Sequence, residues 1–439
     1  MPAYLQAGTA AIDVTPPLGT NMGGYASRDH GAEGVHDPLT AKALTLTDGP
    51  TTVLLVTCDI ISFDYGFIDP LMERIEQATG IPRSHVLVSN SHTHSGPLTP
   101  GVSGFDLVDE QYVAVLADKL VSIAGLALED PRPVTVGFGR ANVRVGYNRR
   151  ETTAEGVRLG IDPRGPLAPF FDVIALRDEA GDLLATWFCH AAHAVVLGGD
   201  NYLISADYPG PAQQAVEAVH PGARAMFAQG CCGDINAERG RPGTFEEVRS
   251  RGLKLAGAVM MAVEEAPPVP DATLGAASRC LELPLRQPPP AAQVEAELEQ
   301  LRPQYEQARQ AEDTVQERVL KWRIRRRETM LEAAREGVAG TKRFDVTALR
   351  IGPAAIVGLP GEVFVRYALN IPKLSPFNPT IVPAYTNGMV GYVPTADAFP
   401  KGGYEVDTSW DYYGGLGIGP ECESIILEGT GELLASLNR

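Results

Sequence analysis

His92 and His94, which are separated by one residue, have the side-chain type and spacing that most strongly indicate a reactive site in this sequence. They follow an apolar run at residues 85–89 (HVLVS) that predicts a buried strand. In extended backbone, residues i and i+2 project to the same side about 7 Å apart, so one cavity can receive both imidazoles. Imidazole binds metals and titrates near neutral pH, so His92 could hold a metal while His94 stabilises charge on a substrate.

Three further segments place polar side chains after predicted strands, where loops can bring them together. The first contains His190 and His193 after an apolar run. The second contains Glu362 after a strand and a Pro-Gly turn, a position where a carboxylate can also cap a helix. The third is glycine-rich and contains Tyr392 and Tyr404. Imidazoles, a carboxylate and phenols form a donor set that suits zinc better than calcium or magnesium.

The elements that must position these residues alternate along the chain. Strand-type runs occur at residues 52–58, 85–89 and 183–189, and a helix with apolar residues at three- and four-residue spacing is predicted at 66–79. The strand pattern resumes at 344–359. This alternation predicts an α/β fold, with mixed β-sheets and flanking helices in a single large catalytic domain.

Residues 291–337 interrupt the alternation. They are rich in Glu, Gln, Arg and Ala, and two apolar stripes at helical spacing predict a helical-hairpin insertion, with Pro303 kinking or breaking its first helix. The hairpin can pack against the body or mediate a homo-oligomer. Its basic run at 321–327 can steer an anionic substrate, or it can be a solvated face with Trp322 and Ile324 turned inward.

Composition excludes several classes of protein. The 439 residues are 44% apolar and carry a formal charge of −17, which disfavours nucleic acid as a partner. No apolar run approaches the roughly 20 residues that cross a bilayer, and the N-terminus lacks a secretion signal, so we expect a cytoplasmic protein without stable membrane insertion. Six cysteines without C-x-x-C spacing indicate neither a disulfide scaffold nor a thiolate zinc site.

A series of ordered motifs makes the chain resemble the neutral, non-lysosomal ceramidases, in their short bacterial form with the catalytic domain only. These motifs lie at residues 8–17, 34–39, 90–97, 147–149, 203–207, 233–234, 358–364, 391–395 and 404–405. The resemblance implies one Zn²⁺ per chain, held by His92, Glu362, Tyr392 and a second histidine. His193 is favoured over His190 for that fourth position, because the turn that follows it matches the family more closely.

The resemblance also implies roles for residues that do not bind the metal. His94 contacts the reacting carbonyl, and Arg149 and Tyr404 line the site and polarise that carbonyl. Zinc-bound hydroxide would then attack a carbon–nitrogen bond in an N-acyl amide, with these donors stabilising the oxyanion.

Two departures from the family change the expected substrate. Asn236 stands where the ceramidases carry a serine, and an asparagine cannot act as a nucleophile. Too few residues follow Glu362 for the C-terminal β-sandwich domain of the larger ceramidases. We therefore expect a small soluble amide substrate rather than ceramide. The alternatives are ester or lactone hydrolysis at the same site and a non-catalytic metal- or ligand-binding homologue; an amidohydrolase-type barrel would need a βα repeat that the sequence lacks.

Overall fold

A computed structural model describes residues 5–101, 107–240, 243–270 and 272–439. The strands, in chain order, are β1 Leu5–Asp13, β2 Gly34–Val35, β3 Thr40–Thr47, β4 Thr52–Cys58, β5 Val86–Asn90, β6 Arg132–Asn142, β7 Gly146–Thr153, β8 Gly156–Asp162, β9 Phe170–Asp178, β10 Leu183–His190, β11 Leu203–Ile204, β12 Arg224–Gln229, β13 Ile235–Ala237, β14 Pro268–Val269, β15 Leu274–Pro284, β16 Thr341–Ile351, β17 Ala354–Gly358, β18 Glu362–Val363, β19 Thr380–Ile381 and β20 Tyr392–Val393. The α-helices are α1 Tyr65–Thr79, α2 Glu110–Leu126, α3 Pro209–Val219, α4 Phe245–Glu264, α5 Ala291–Gln310, α6 Thr314–Glu336, α7 Val365–Leu374, α8 Trp410–Tyr413 and α9 Cys422–Leu437. Within these ranges, no helix has both the length and the apolar character needed to cross a bilayer.

The main sheet is mixed, as the sequence predicts. Its strand order is β12-β10-β9-β6-β1-β3-β4-β5, with β14 added to β6, and the β4–β5 and β10–β12 pairs are parallel while the others are antiparallel. A second sheet has the order β15-β16-β17-β19. The predicted α/β class is therefore confirmed, and the predicted strands at 52–58, 85–89 and 183–189 agree with β4, β5 and β10 to within a residue.

The two sheets pack against each other through apolar side chains that alternate along their strands. In β4, Val53 and Leu55 point to the cluster shared with the second sheet, whereas Leu54 and Val56 point to the cluster formed with α1 and α2. Helices α3 and α4 cover the other half of the same outer face. The result is a layered core, in which central strands such as β4 bury both faces, because successive side chains point to opposite clusters.

Helix α1 shows how local chemistry sets an element's limits. Its N-cap, Asp64, accepts a hydrogen bond from the Phe67 amide, and the helix ends at Gly80 with φ of 73°. A left-handed C-cap favours glycine, which has no Cβ to clash. Ile68, Leu71 and Ile75 are buried, as the predicted helical spacing requires.

Helices α5 and α6 form a hairpin over the segment 291–337. Val294, Leu298 and Met330 join them in one apolar cluster with Leu416 of the body. Pro303 lies inside α5, and the helix continues through it rather than breaking there. Pro303 and Glu299 are exposed, so the Glu299 carbonyl that loses its hydrogen bond can bond to water instead.

The basic run of α6 faces the protein body. Arg326 and Arg327 both donate to the Asp411 carboxylate, and Trp322 is buried with its ring 5.8 Å from that of Tyr412. These two arginines therefore bind the segment that carries α8. Trp322 and Ile324 are turned inward as the second interpretation of the run expects, and Lys321 and Arg325 are exposed.

Candidate metal centre

Three imidazoles meet where β5 and β10 end. The donor atoms of His92, His94 and His193 lie within 4.8 Å of one another, in a group that could hold a metal ion. Glu362 of β18 joins them, with its Oε2 2.8 Å from His193 Nε2 and 3.7 Å from His92 Nε2. The fold thus brings together residues separated by up to 270 positions in the chain, from 92 to 362.

Backbone carbonyls orient two of the three rings. His92 Nδ1 lies 2.7 Å from the Ile61 carbonyl oxygen, and His193 Nδ1 lies 2.7 Å from that of Cys232. Donation of Nδ1–H to a carbonyl leaves Nε2 free and aimed at the centre, which is the usual arrangement of metal-ligating histidines. His94 differs, because its Nδ1 has no hydrogen-bond partner among the described residues.

The donor spacing fits zinc. Tetrahedral coordination with bonds of about 2.1 Å puts neighbouring donors about 3.4 Å apart. The distances from Glu362 Oε2 to the Nε2 atoms of His193 and His92, 2.8 and 3.7 Å, bracket this value. Nitrogen donors with one carboxylate are the ligand type that zinc prefers.

Charge in this cluster is strongly shaped by burial. Burial lowers the pKa of His92 to about 4 and holds that of His94 well below its usual range. Burial alone would also lower the pKa of His193, but Cys232 and the hydrogen bond to Glu362 raise it to about 9. Burial opposes ionisation of Glu362, yet the neighbouring histidines and Arg149 hold its pKa well below the ordinary value.

Backbone strain coincides with the cluster. His92 and Tyr385 both have positive φ, 56° and 53°, and their rings stack at 4.1 Å. Left-handed backbone costs a non-glycine residue roughly 1–3 kcal/mol and is maintained only where the surrounding structure enforces it. Gly24, with φ of 93°, packs directly against the His94 ring. A Cβ at this position would lie 2.4 Å from the ring, so only glycine fits there.

Arg149 is the buried cation of the site. Its Nη2 donates to the Tyr392 hydroxyl at 2.8 Å and its Nη1 to Asn236 Oδ1 at 3.1 Å. Its Nε donates to Glu405 at 2.8 Å, and Arg150 donates to the other oxygen of the same carboxylate. Glu405 is fully buried, so one carboxylate pairs with two buried arginines and fixes the direction of Arg149.

Apart from the alternative ligand His190, the residues predicted as ligands or catalytic groups lie at this site. Tyr392 pairs with Glu362 across the short parallel β18–β20 pair, but its hydroxyl contacts Arg149. The Tyr404 ring lies 5.6 Å from the Tyr392 ring. The structure brings His193, and not His190, into the cluster.

His190 instead packs in the core. Its ring lies 5.5 Å from Phe171, and burial lowers its pKa to about 4.

Sequence reasoning missed two tyrosines at the carboxylate. The hydroxyl of Tyr385 lies 3.4 Å from Glu362 Oε2, and that of Tyr413 donates to Oε1. Tyr385 is placed by a segment that bridges two strand ends, through backbone pairs of Thr386 with Ser89 and of Pro383 with Gly230. A local signal existed for Tyr413 alone, in the clustering of aromatic residues before a glycine at 410–414 (WDYYG), whereas Tyr385 stands alone in 385–388 (YTNG).

A pocket of about 300 Å³ opens onto the histidines. Its walls combine phenols with apolar side chains, namely Tyr25, Ile61, Leu159, Val195, Tyr404 and Tyr412.

Helix α6 contacts both rims of the pocket. Arg318 donates to the carbonyl oxygens of Ala26 and Arg28 on one rim, and Arg326 donates to Asp411, beside Tyr412, on the other.

The first third of the chain matches a known family. Residues 5–149 match the model described as neutral/alkaline non-lysosomal ceramidase, N-terminal. Neutral ceramidase 2 of Arabidopsis thaliana is 26% identical over 234 residues, which is 49% of this chain and only 30% of that relative. The matched part therefore spans less than a third of the plant protein.

Solved structures share the whole architecture. The crystal structure of neutral ceramidase from Pseudomonas aeruginosa aligns with a TM-score of 0.77 and 18% identity, over 100% of this chain and 75% of that one. A ceramidase complexed with C2 aligns with a TM-score of 0.77 and 16% identity, over 99% and 75%. At these identities the likeness shows the fold. Together with the family match, it confirms the predicted resemblance to the neutral ceramidases.

Proposed function

We propose that this ceramidase-like chain is a zinc-dependent hydrolase that cleaves the carbon–nitrogen bond of an N-acyl amide. The observation that carries the proposal is the convergence of His92, His193 and Glu362 at the floor of a pocket that also contains a buried, oriented arginine. A purely structural metal site has no need of an open pocket or of Arg149 beside it.

His92, His193, Glu362 and Tyr392 are the proposed holders of one zinc ion. The Nδ1–carbonyl bonds of the two histidines support this choice, since they present Nε2 to the centre. A zinc ion held there would polarise a substrate carbonyl and bring the pKa of bound water toward 7.

His94, Arg149 and Tyr404 are proposed to act on the substrate. His94 Nε2 lies 3.2 Å from His92 Nε2, so it can donate to an oxygen that gains charge beside the ligands. Arg149 is held at the same wall by Glu405 and can donate to that oxygen without reorganising. Preorganised donors of this kind contribute about 3 kcal/mol each to the transition state.

The expected substrate is a small N-acyl compound. About 300 Å³ is the lower end of the range for ligand pockets. Both rims are bonded to α6, which limits how far the pocket can widen for a long lipid chain.

Metal analysis together with turnover tests the proposal. The purified protein should contain zinc at one ion per chain and hydrolyse members of a panel of short N-acyl amides, with loss of turnover on chelation and recovery on adding Zn²⁺. Faster cleavage of matched esters or lactones would assign the site to those bonds instead. Bound zinc without turnover of any member would show a binding protein, and faster cleavage of long-chain ceramide than of every short amide would contradict the small-substrate proposal.

A further inference from the structure

Arg239 is a cation of the pocket that the proposed reaction does not use. It lies just after β13 and lines the same pocket as His92 and His94. Its guanidinium forms no ion pair with any carboxylate of the described ranges, although the protein carries a net charge of −17. Arg149, in the same pocket, by contrast forms an ion pair with Glu405.

Tyr25 connects Arg239 with the metal centre. The Tyr25 ring lies edge-on to that of His94 at 5.2 Å, and its hydroxyl donates to the Leu197 carbonyl at 2.8 Å. Burial raises the pKa of Tyr25 to about 12, and the positive charge of Arg239 beside the phenol opposes the rise. The phenol can only accept from Arg239, so most of the five guanidinium N–H groups stay available to a ligand.

Arg28 adds a second positive charge at Tyr25. Its Cζ lies 5.0 Å from the centre of the Tyr25 ring, and it is 4% exposed. Its Nη2 has no hydrogen-bond partner in the part of the chain that the structure describes. Asp200 is an exposed acid near both arginines, since a Cβ on Gly198 would lie 2.5 Å from its Oδ1 and 3.6 Å from Arg239 Nη1, but it forms no ion pair with either in those residues.

A pocket arginine that forms no ion pair can donate bidentate hydrogen bonds to an anionic group of a ligand. We propose that Arg239 binds a carboxylate of the substrate, so that the amide cleaved at this site is an anionic one. The inference deepens the proposed hydrolase function and rests on it. Two sources share this chemistry: an N-acyl amino acid, with the carboxylate on the amine side, and the monoamide of a dicarboxylic acid, with the carboxylate on the acyl side.

Two matched substrate pairs separate these sources and test the charge. The first pair is N-hexanoylglycine and N-hexanoylglycinamide, and the second is N-methyladipamic acid and N-methyladipamide. Within each pair only the carboxylate is replaced by a neutral amide. For the zinc-loaded protein, we expect kcat/KM to favour the anionic member of one pair by about 10- to 100-fold, the range of a hydrogen-bonded charge pair.

Substitutions at Arg239 assign the preference to that residue. Arg239→Gln should reduce the ratio to within about threefold of unity, mainly by raising KM for the anionic substrate, with a smaller change in kcat/KM for the neutral substrate. Arg239→Lys should retain much of the preference, since it keeps the charge but loses the bidentate geometry. Arg132→Gln makes the same charge change at an exposed arginine paired with Asp130 and should leave the ratio unaltered.

Calorimetric titration separates this inference from the proposed function. If no amide is hydrolysed, the hydrolase proposal fails, but N-hexanoylglycine or N-methyladipamic acid should still bind the wild type at least tenfold more tightly than its neutral partner, and not the R239Q variant. Equal binding and equal kcat/KM for both members of both pairs would overturn the role of Arg239. An equal loss of kcat on anionic and neutral substrates in R239Q would overturn it too, because that pattern indicates a structural arginine.

Discussion

The buried carboxylate of Glu405 offers the most direct test of the site's architecture. It is fully buried between Arg149 and Arg150, and both guanidinium groups donate to it. Glu405→Gln preserves the shape of the side chain but removes the negative charge. Two buried cations then lose the group that compensates them.

The expected loss follows from those two bonds. Each charge-assisted hydrogen bond contributes about 1.5–3 kcal/mol, and breaking a buried ion pair from one side costs about 3–5 kcal/mol. We therefore expect Glu405→Gln to lower the free energy of unfolding by about 3–5 kcal/mol. The substitution should also reduce turnover, because Arg149 loses the partner that fixes its direction toward Tyr392.

Urea denaturation measures the first effect. Glu432→Gln is the matched control, since Glu432 pairs with Arg279 at the surface, where 66% and 44% of the side chains are exposed. Such a pair contributes less than about 1 kcal/mol. Adding Arg150→Met to the Glu405→Gln variant should restore part of the lost free energy of unfolding, because it removes one buried cation that has lost its carboxylate partner. A loss for Glu405→Gln no larger than that of the control would refute the described network.

Three further outcomes are expected. His92→Ala should abolish zinc binding measured by elemental analysis, whereas His94→Ala should retain zinc and lose turnover; loss of zinc from both would make His94 a ligand. Arg326→Met should leave zinc content unchanged but raise KM several-fold, because Asp411 at the pocket rim loses a buried partner, and an unchanged KM would show that the rim does not depend on α6. His190 has its pKa lowered to about 4 by burial, below the ordinary 6.5, so the stability it contributes is lost as the pH falls from 6.5 toward 4. Unfolding of the metal-free protein should show His190→Gln gaining about 2 kcal/mol relative to wild type between pH 7 and pH 5, and parallel pH profiles would contradict a buried neutral His190.

Local patterns were sufficient for the elements and for part of the site. The alternation of apolar residues in β4 and the helical spacing in α1 are short-range properties, so the sequence predicted both with nearly correct limits. His92 and His94 were identifiable from their spacing after a strand, but the extended backbone expected for them is wrong, because His92 lies beyond the end of β5 with φ of 56°. The continuity of α5 through Pro303 was not identifiable, since it depends on whether the freed carbonyl reaches water.

Other features depended on contacts between distant residues. The choice between His190 and His193 depends on where each side chain points at the end of β10. The His190 ring packs near Phe171, whereas His193 contacts Glu362. The contacts of Tyr385 and Tyr413 with Glu362 are likewise invisible in sequence spacing.

The basic run of α6 shows the same limit in charge patterning. From sequence it was compatible with steering or with solvation, yet Arg326 and Arg327 bind Asp411. Opposite charges some 85 positions apart give no periodic signal, and only packing of the hairpin on the body brings them together.

By itself, the sequence determined the α/β class, the strand ends where polar residues gather, and the resemblance to the neutral ceramidases. These three features depend on short motifs and local periodicity, which can be read from neighbouring residues. The tertiary structure decided which histidines converge and which carboxylate pairs with Arg149. It also decided which arginine of the pocket forms no ion pair with a carboxylate of the described residues. The physical reason is that a site's donor geometry and charge balance arise from side chains that many strands and loops bring to one point.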